Sequence, residues 1–201
     1  VGRNLTSTLE LNPLLNLILS SAVEILQCEA GSLFLIDPQT DELVFEVVTG
    51  PVASDLVGKR LPAGKGMAGQ AVETGEPVIA NDARRRKEWF NVPDQQTGFT
   101  TQDLLAVPMK IKDRTLGVIE VINKQDGQPF LNEDQEILVT FASQAAIAIE
   151  NARLYTLTDQ ALNARVEELS VMQRIDRELN TSLDIQNALE ITLGWAMRQS
   201  N

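Results

Sequence analysis

The chain contains no histidine. That absence removes Ser-His and Cys-His nucleophile pairs, the usual haem ligand and most zinc sites. It also means that no phosphoryl group can be carried on histidine, and that any catalysis would fall to carboxylates, lysine or tyrosine. Cysteine is nearly as scarce. Cys28 stands alone, which excludes an internal disulfide and suits a reducing compartment. It falls on the apolar spacing of a first helix and reads as a buried core thiol rather than a reactive one. Basic residues are in deficit, 17 against 28 acidic, for a net charge of −11. Nucleic acid, whose phosphates need clustered Lys and Arg, is therefore disfavoured as a partner. Apolar runs fall short of the ~18 residues of a membrane span, and no signal peptide is present. Together these absences predict a cytoplasmic protein with neither a membrane nor a nucleic-acid partner.

What is present begins with a repeat. LTSTLELNPLLNLILSSAV, near the start, is matched near the end by LNTSLDIQNALEITLGWAM. With Leu5 set against Leu179, a shift of 174 residues, Leu9 meets Leu183 and Leu11 meets Ile185. Leu15 then meets Leu189, Leu17 meets Ile191 and Leu19 meets Leu193. Glu10 meets Asp184 and Ala22 meets Ala196, so acidic and small positions agree along with the apolar ones. Internal repeats bear on architecture before anything else. This one reads as the opening helix of a unit returning as the start of another, with the sequence stopping inside a tandem array.

Between the repeats the pattern is mixed. Residues 12–28 have helical spacing, and Gly31 reads as the stop of that helix. SLFLID (32–37) alternates as a strand, DPQTDE (37–42) is a turn, and LVFEVVT (43–49) returns, which makes a β-hairpin. DLLAVPMKIKD and TLGVIEVINK flank the turn Lys112-Asp113-Arg114 as a second hairpin, where Pro108 marks a weakened strand or a bulge. From Asn132 the pattern is helical to about Asn180, opened by Asn132 and Gln135 at capping-box spacing. Ile137, Leu138, Phe141, Ala145 and Ile149 make its first apolar face. Farther on, Leu162, Val166, Leu169, Met172, Ile175 and Leu179 form a seam among Glu167, Glu168, Arg174, Asp176, Arg177 and Glu178. So narrow a seam on so long a helix cannot be buried by its own chain. It implies a partner helix, most simply the same helix of a second copy in a parallel homodimer. The seam steps 4, 3, 3, 3, 4, which departs from a strict heptad and gives the pair two nearby registers.

Three short stretches carry candidate chemistry. Gly64-Lys65-Gly66-Met67-Ala68-Gly69 spells G-x-G-x-x-G, but the dinucleotide motif needs a buried strand before it and a full crossover helix after it. Charged VGKRLPA precedes it and about two turns, ended by Gly75, follow. It reads instead as a glycine-rich entry to a short helix, whose N-terminus can still face an anion. Arg84-Arg85-Arg86-Lys87 is the one basic run, either a solvated loop or a phosphate-attracting rim. Trp89 and Phe90, with Phe99 nearby, either pin this loop to the core or line a pocket.

The segments AGSLFLID, GKGMAGQAVETGEPVIANDA, TGFTTQDLLAVPMK and LGVIEVINK, in that order and spacing, resemble the GAF domain. This family supplies regulatory modules to cyclic-nucleotide phosphodiesterases, bacterial adenylyl cyclases and sensor histidine kinases of two-component systems. The likeness covers residues 5–156. Residues 157–179 resemble the coiled-coil signalling helices that join tandem GAF units, and 180–201 the truncated first helix of a second GAF domain.

The resemblance implies an α+β fold, a six-stranded antiparallel sheet with the terminal helices on one face. On the other face it implies a ligand pocket roofed by loops and short helices. Asn123, Lys124, Phe130 and Asp134 match the family's Asn-Lys and Phe-x-x-x-Asp signature, with Gln135 where a Glu is usual, and Lys124 is expected to pair with Asp134. Pocket positions carry over to Ser32 on the first strand, Met67 and Ala68 after the glycines, and Phe90, where a ring can stack on a base. They carry over also to Asp94, Thr97 and Thr101 around TGF, and to Glu120 on a late strand. A cyclic nucleotide is the ligand the resemblance suggests, although Val47-Val48 replaces the aromatic-acidic pair of cyclic-GMP-binding members. Bilin-carrying members attach the pigment through a pocket cysteine usually followed by histidine, and the methionine-sulfoxide-reducing branch needs several cysteines, so neither chemistry is expected.

Three functions remain open at this point. One is a non-catalytic sensory module that binds a small molecule and relays its state along dimeric helices to a downstream kinase, cyclase or phosphodiesterase domain. Another is a dimerisation unit with no ligand. The third is an enzyme working through Asp94 and Glu120. The first is the expectation.

Overall fold

The computed structural model of the protein describes residues 4–51 and 53–199. The chain divides into a unit ending at Leu154 and a second beginning at Tyr155.

In the first unit, helix α1 (Asn4–Ile25) gives way after two residues to strand β1 (Cys28–Ile36). The expected helix through Cys28 with a stop at Gly31 is thus corrected: Cys28 opens the strand and Gly31 lies inside it. Gly31 is needed there for a close approach. A Cβ on it would lie 2.6 Å from Cγ2 of Val23 and 3.0 Å from Cδ1 of Leu19, because α1 presses on the sheet at this point. The hairpin partner β2 (Leu43–Thr49) follows, then α2 (Ala53–Leu56), β3 (Arg60–Leu61), α3 (Gly66–Thr74) and β4 (Val78–Ala80). After a 3-10 turn at Ala83–Arg85 come α4 (Val92–Thr97), β5 (Leu104–Ile111) and β6 (Arg114–Lys124). The six strands form one antiparallel sheet in the order β3-β2-β1-β6-β5-β4. Pro108 sits opposite Val118 within the ladder, and the irregularity falls one step later, between Met109 and Lys110.

Strand alternation gives the sheet two apolar faces. Leu33, Val107, Ile119 and Val121 pack with Leu15, Leu19 and Ala22 of α1, together with Leu138, Ala142, Ala145 and Ala146 of helix α5 (Asn132–Gln199). On the opposite face Phe34, Phe45, Leu104 and Val118 pack with Met67, Ala68 and Ala71 of α3. The β1–β2 register shifts between Leu33 and Phe34, so that Glu46 becomes an extra residue of β2. Such a bulge re-aims the side chains beyond it: Phe45 joins one face and Val47 the other.

Helix α5 is capped one residue earlier than its sequence suggests. Asp134, rather than Gln135, reaches back to accept from the Leu131 N–H at 2.8 Å, and Leu131 O takes the first helical bond from the Gln135 N–H. The helix also passes Asn180 and continues to Gln199.

In the second unit Leu162, Val166, Leu169, Met172 and Ile175 are all exposed. The side chain of Leu179 lies outside those described. Ile185, Leu189 and Leu193 are exposed as well, whereas Leu15 and Leu19, their counterparts of the last two in the repeat, are buried. The side chains of Leu5, Leu9, Glu10, Leu183, Asp184, Trp195 and Ala196 also lie outside those described.

Candidate functional site

The face of the sheet away from α1 carries a pocket. Its floor comes from β1 and β6, where Ser32 and Glu120 are direct cross-strand partners. One wall is the start of α3, with Met67 and Ala68, and another is the segment from Trp89 to Thr101 that contains α4. All eight pocket positions named from sequence, Ser32, Met67, Ala68, Phe90, Asp94, Thr97, Thr101 and Glu120, line this one cavity. Its volume open to the centre of a water molecule is about 70 Å³. A single water needs on the order of 10–15 Å³ on that measure.

The glycine motif shapes the wall. A Cβ on Gly69 would lie 2.5 Å from the backbone carbon of Gly64, so the motif's last glycine lets the loop fold back on its own helix. No bound phosphate is required to explain it. Helix α3 ends as the sequence predicts, at Gly75 in the left-handed conformation.

The α4 wall is fastened by hydrogen bonds. Asp94 accepts from the Thr101 N–H at 2.9 Å and from the Thr101 hydroxyl at 2.8 Å. Arg84 approaches the same carboxylate at 3.6 Å and donates from Nε to Thr101 O. Lys59 Nζ donates to Gln96 Oε1 at 2.8 Å. The Thr97 hydroxyl donates to Pro93 O within its own helix. The arginines of the basic run make structural contacts: beside Arg84, Arg85 pairs with Asp82 and Arg86 donates to Ile79 O, while Lys87 is exposed. Trp89 and Phe90 satisfy both sequence alternatives, since they pack on the core of this face and also line the cavity.

Glu120 is the buried ionisable group on the pocket floor. It is 8% exposed, and among the described residues its carboxyl has no hydrogen-bond or ion-pair partner. Burial pushes its pKa up to about 8, with the Asp94 charge adding to the shift. Ser32, 3% exposed, likewise meets no partner among the described residues.

Asn123, Lys124, Phe130 and Asp134 do not line the cavity. They clamp the end of β6 to its neighbouring loops and to the start of α5. Asn123, held at a positive φ of 52°, accepts from the N–H groups of Gln102 and Asp103 and donates to Thr100 O and Glu29. Lys124 reaches Asp134 at 3.1 Å, as expected. Phe130 is held by both ends of the Asn81 amide.

Sequence reading missed Asn81, which holds Phe130, and it missed Phe45, Leu104 and Ile122, which line the cavity. Alternation was the usable signal: Ile122 follows Glu120 by two residues on one face, as Phe34 follows Ser32. No group of three or more metal-ligating side chains occurs among the described residues, and none of their helices is long and apolar enough to cross a membrane.

Comparison with known proteins agrees with this architecture. A probable 3′,5′-cyclic phosphodiesterase of Caenorhabditis elegans is 29% identical over 147 residues, 69% of this chain and 20% of that protein. A dual 3′,5′-cyclic-AMP and -GMP phosphodiesterase of Drosophila melanogaster is 26% identical over 193 residues, 89% of this chain and 13% of that protein. The chain thus spans a fifth or less of the length of these relatives. Among solved structures, the GAF domain of a phosphoenolpyruvate-protein phosphotransferase from Coxiella burnetii superposes with a TM-score of 0.66 at 28% identity. That match covers 73% of this chain and 86% of that one. The family model described as GAF domain matches residues 8–150. With its six-stranded sheet, its α3 and α4 walls and that match over most of its length, the chain belongs to the GAF domain family.

Proposed function

We propose that the first unit is a non-catalytic, ligand-responsive regulatory domain whose ligand enters the pocket between β1, β6, α3 and α4. The observation that carries this reading is the pair Ser32 and Glu120. They lie side by side at the base of a cavity lined largely by apolar side chains, with no protein partner among the described residues. Their oxygens open onto the cavity rather than onto protein, so whatever fills the cavity supplies their bonds, and a ligand can take the place of water there. Catalysis has little to work with, because Asp94 is already committed to Thr101 and Arg84. The domain's similarity to the regulatory parts of phosphodiesterases supports the same reading, and makes cyclic AMP and cyclic GMP natural members of a first ligand panel. The test is thermal melting of the full chain against that panel. A ligand at 100 times its Kd adds about 2.7 kcal/mol, and Phe90→Ala should weaken it by ~1–3 kcal/mol if a base stacks there. A panel that leaves the melting temperature unmoved throughout sinks the reading.

The state of the pocket is relayed, on this proposal, through a parallel homodimer. Exposed Leu162, Val166, Leu169, Met172 and Ile175 support it, and so do exposed Leu14, Leu17 and Ile147 on α1 and α5. An apolar stripe of that kind is covered in a two-stranded coil. Leu169→Glu should split the dimer while leaving the sheet folded. Sedimentation showing an unchanged dimer would move the contact to the domain faces.

A further inference from the structure

The pocket's chemistry is one-sided. Five of the chain's nine aromatic residues line it, Phe34, Phe45, Trp89, Phe90 and Phe99. The charged groups on its lining are Glu120 from β6, Asp94 from α4 and exposed Lys65 ahead of α3. Asp94 is occupied by Thr101 and Arg84. Glu120 has nothing opposite it. An anion brought to the floor would meet the Asp94 carboxylate nearby and would oppose ionisation of Glu120, and the rings offer it no donor apart from the Trp89 indole. A cation would meet the complement of both, since aromatic faces attract ammonium groups and a buried carboxylate is stabilised by a paired cation.

We propose that this pocket takes a small organic cation, with an ammonium or amidinium head seated on the Glu120 carboxylate and an aromatic or aliphatic body between the rings. The proposal rests on the reading of this cavity as a ligand site and names the ligand's class. Near neutral pH the buried Glu120 is largely the neutral acid, because its pKa stands at about 8. Seating the cation then transfers the carboxyl proton to solvent while the ammonium keeps its own. One proton leaves for each ligand bound, and affinity rises as pH approaches and passes the pKa of Glu120.

Phenethylammonium, neutral 2-phenylethanol and anionic phenylacetate share a body and differ in the charge of the head. Titration calorimetry of each on the full chain, with cyclic AMP and cyclic GMP alongside, separates the cases. Phenethylammonium should bind roughly tenfold or more tightly than 2-phenylethanol, as a charge-assisted contact outweighs a neutral one. Its affinity should rise between about pH 6 and pH 9, below the range near 10 where an alkylamine loses its proton. At neutral pH its binding heat should depend on the buffer, reporting proton release. Glu120→Gln should abolish the preference and the pH dependence. The pH and buffer arms need no variant, so they stand even if that substitution unfolds the domain.

Equal or tighter binding by 2-phenylethanol, phenylacetate or either nucleotide overturns the cation and leaves the ligand site in place. Preference for the cation that persists in a folded Glu120→Gln also overturns it. If no probe binds, both the cation and the ligand-site reading fall.

Discussion

The two faces of the sheet are built from the same strands and packed to different ends. Toward α1 and α5 the buried side chains are aliphatic or aromatic, with Cys28 among them, and they close against one another. Toward α3 and α4 the face has a comparable apolar patch, but there the sheet also buries Ser32 and Glu120, and the α4 segment buries Thr101. Neighbouring residues on one strand serve the two ends: Leu33 completes the closed face, and Ser32 beside it lies on the open one. Departures from full satisfaction of buried polar groups cluster where a protein gives up stability for binding. The contrast therefore separates the part of the sequence that holds the fold from the part free to set a ligand.

The largest expected effect tests the closed face. Leu19 is fully buried between α1 and the sheet, and Leu19→Ala should cost about 2–5 kcal/mol in urea unfolding. Met67→Ala, beside an existing cavity, should fall at the low end of that range, because water or a rearranged wall can fill the space. Equal losses at the two positions would erase the contrast between the faces.

A second effect should have the opposite sign. The folded-state pKa of Glu120 is raised from 4.5 to about 8, so between those values the native state holds a proton that the unfolded state has released. Stability must then fall as pH rises through this window, and this group adds no further change above it. Glu120→Gln should remove the fall and leave the domain more stable than the parent at pH near 9, by an amount on the order of a few kcal/mol. At pH near 4 the two should match. Urea midpoints measured across pH decide the matter, and parallel curves for parent and variant would mean that Glu120 is solvated.

How much of this was legible in the sequence obeys the same division. Both hairpins, α3 and its stop at Gly75 are local features, set by alternation and turn residues, and they stand as read. The end of α1 was misread because Cys28, Glu29 and Ala30 suit either a helix or a strand, and Gly31 carries the same letter whether it stops a helix or admits one. Only the contact with Val23 and Leu19 tells which. The cap at Leu131 was misplaced by one residue because Asp134 serves both as helix cap and as partner of Lys124. For the pocket, eight positions came through the resemblance to a family, and strand alternation alone could have added Ile122 and Phe34. Phe45 could not be assigned a face in advance, since its side depends on the extra residue Glu46 in β2. Asn81 and Asn123 act across long sequence separations, 49 residues in the bond from Asn81 to Phe130, and no local pattern announces such a bond.

The smallest expected effect is an absence of reaction on the closed face. Cys28 is 1% exposed at the first residue of β1, and its thiol donates weakly to Leu26 O at 3.6 Å. Burial pushes its pKa up to about 12, although nearby Lys124 works in the other direction. A thiol held so far from ionisation offers almost no thiolate, which is the reactive form. Iodoacetamide at pH near 8 should therefore label Cys28 only as fast as the domain unfolds, and Leu19→Ala should accelerate labelling in proportion to its loss of stability. Glu120→Gln should slow it at the same pH, because that variant removes the buried charge on the opposite face. Rapid labelling of the native parent would show that the start of β1 frays open on its own. The closed face would then be closed only from Gly31 onward, where α1 presses directly on the strand.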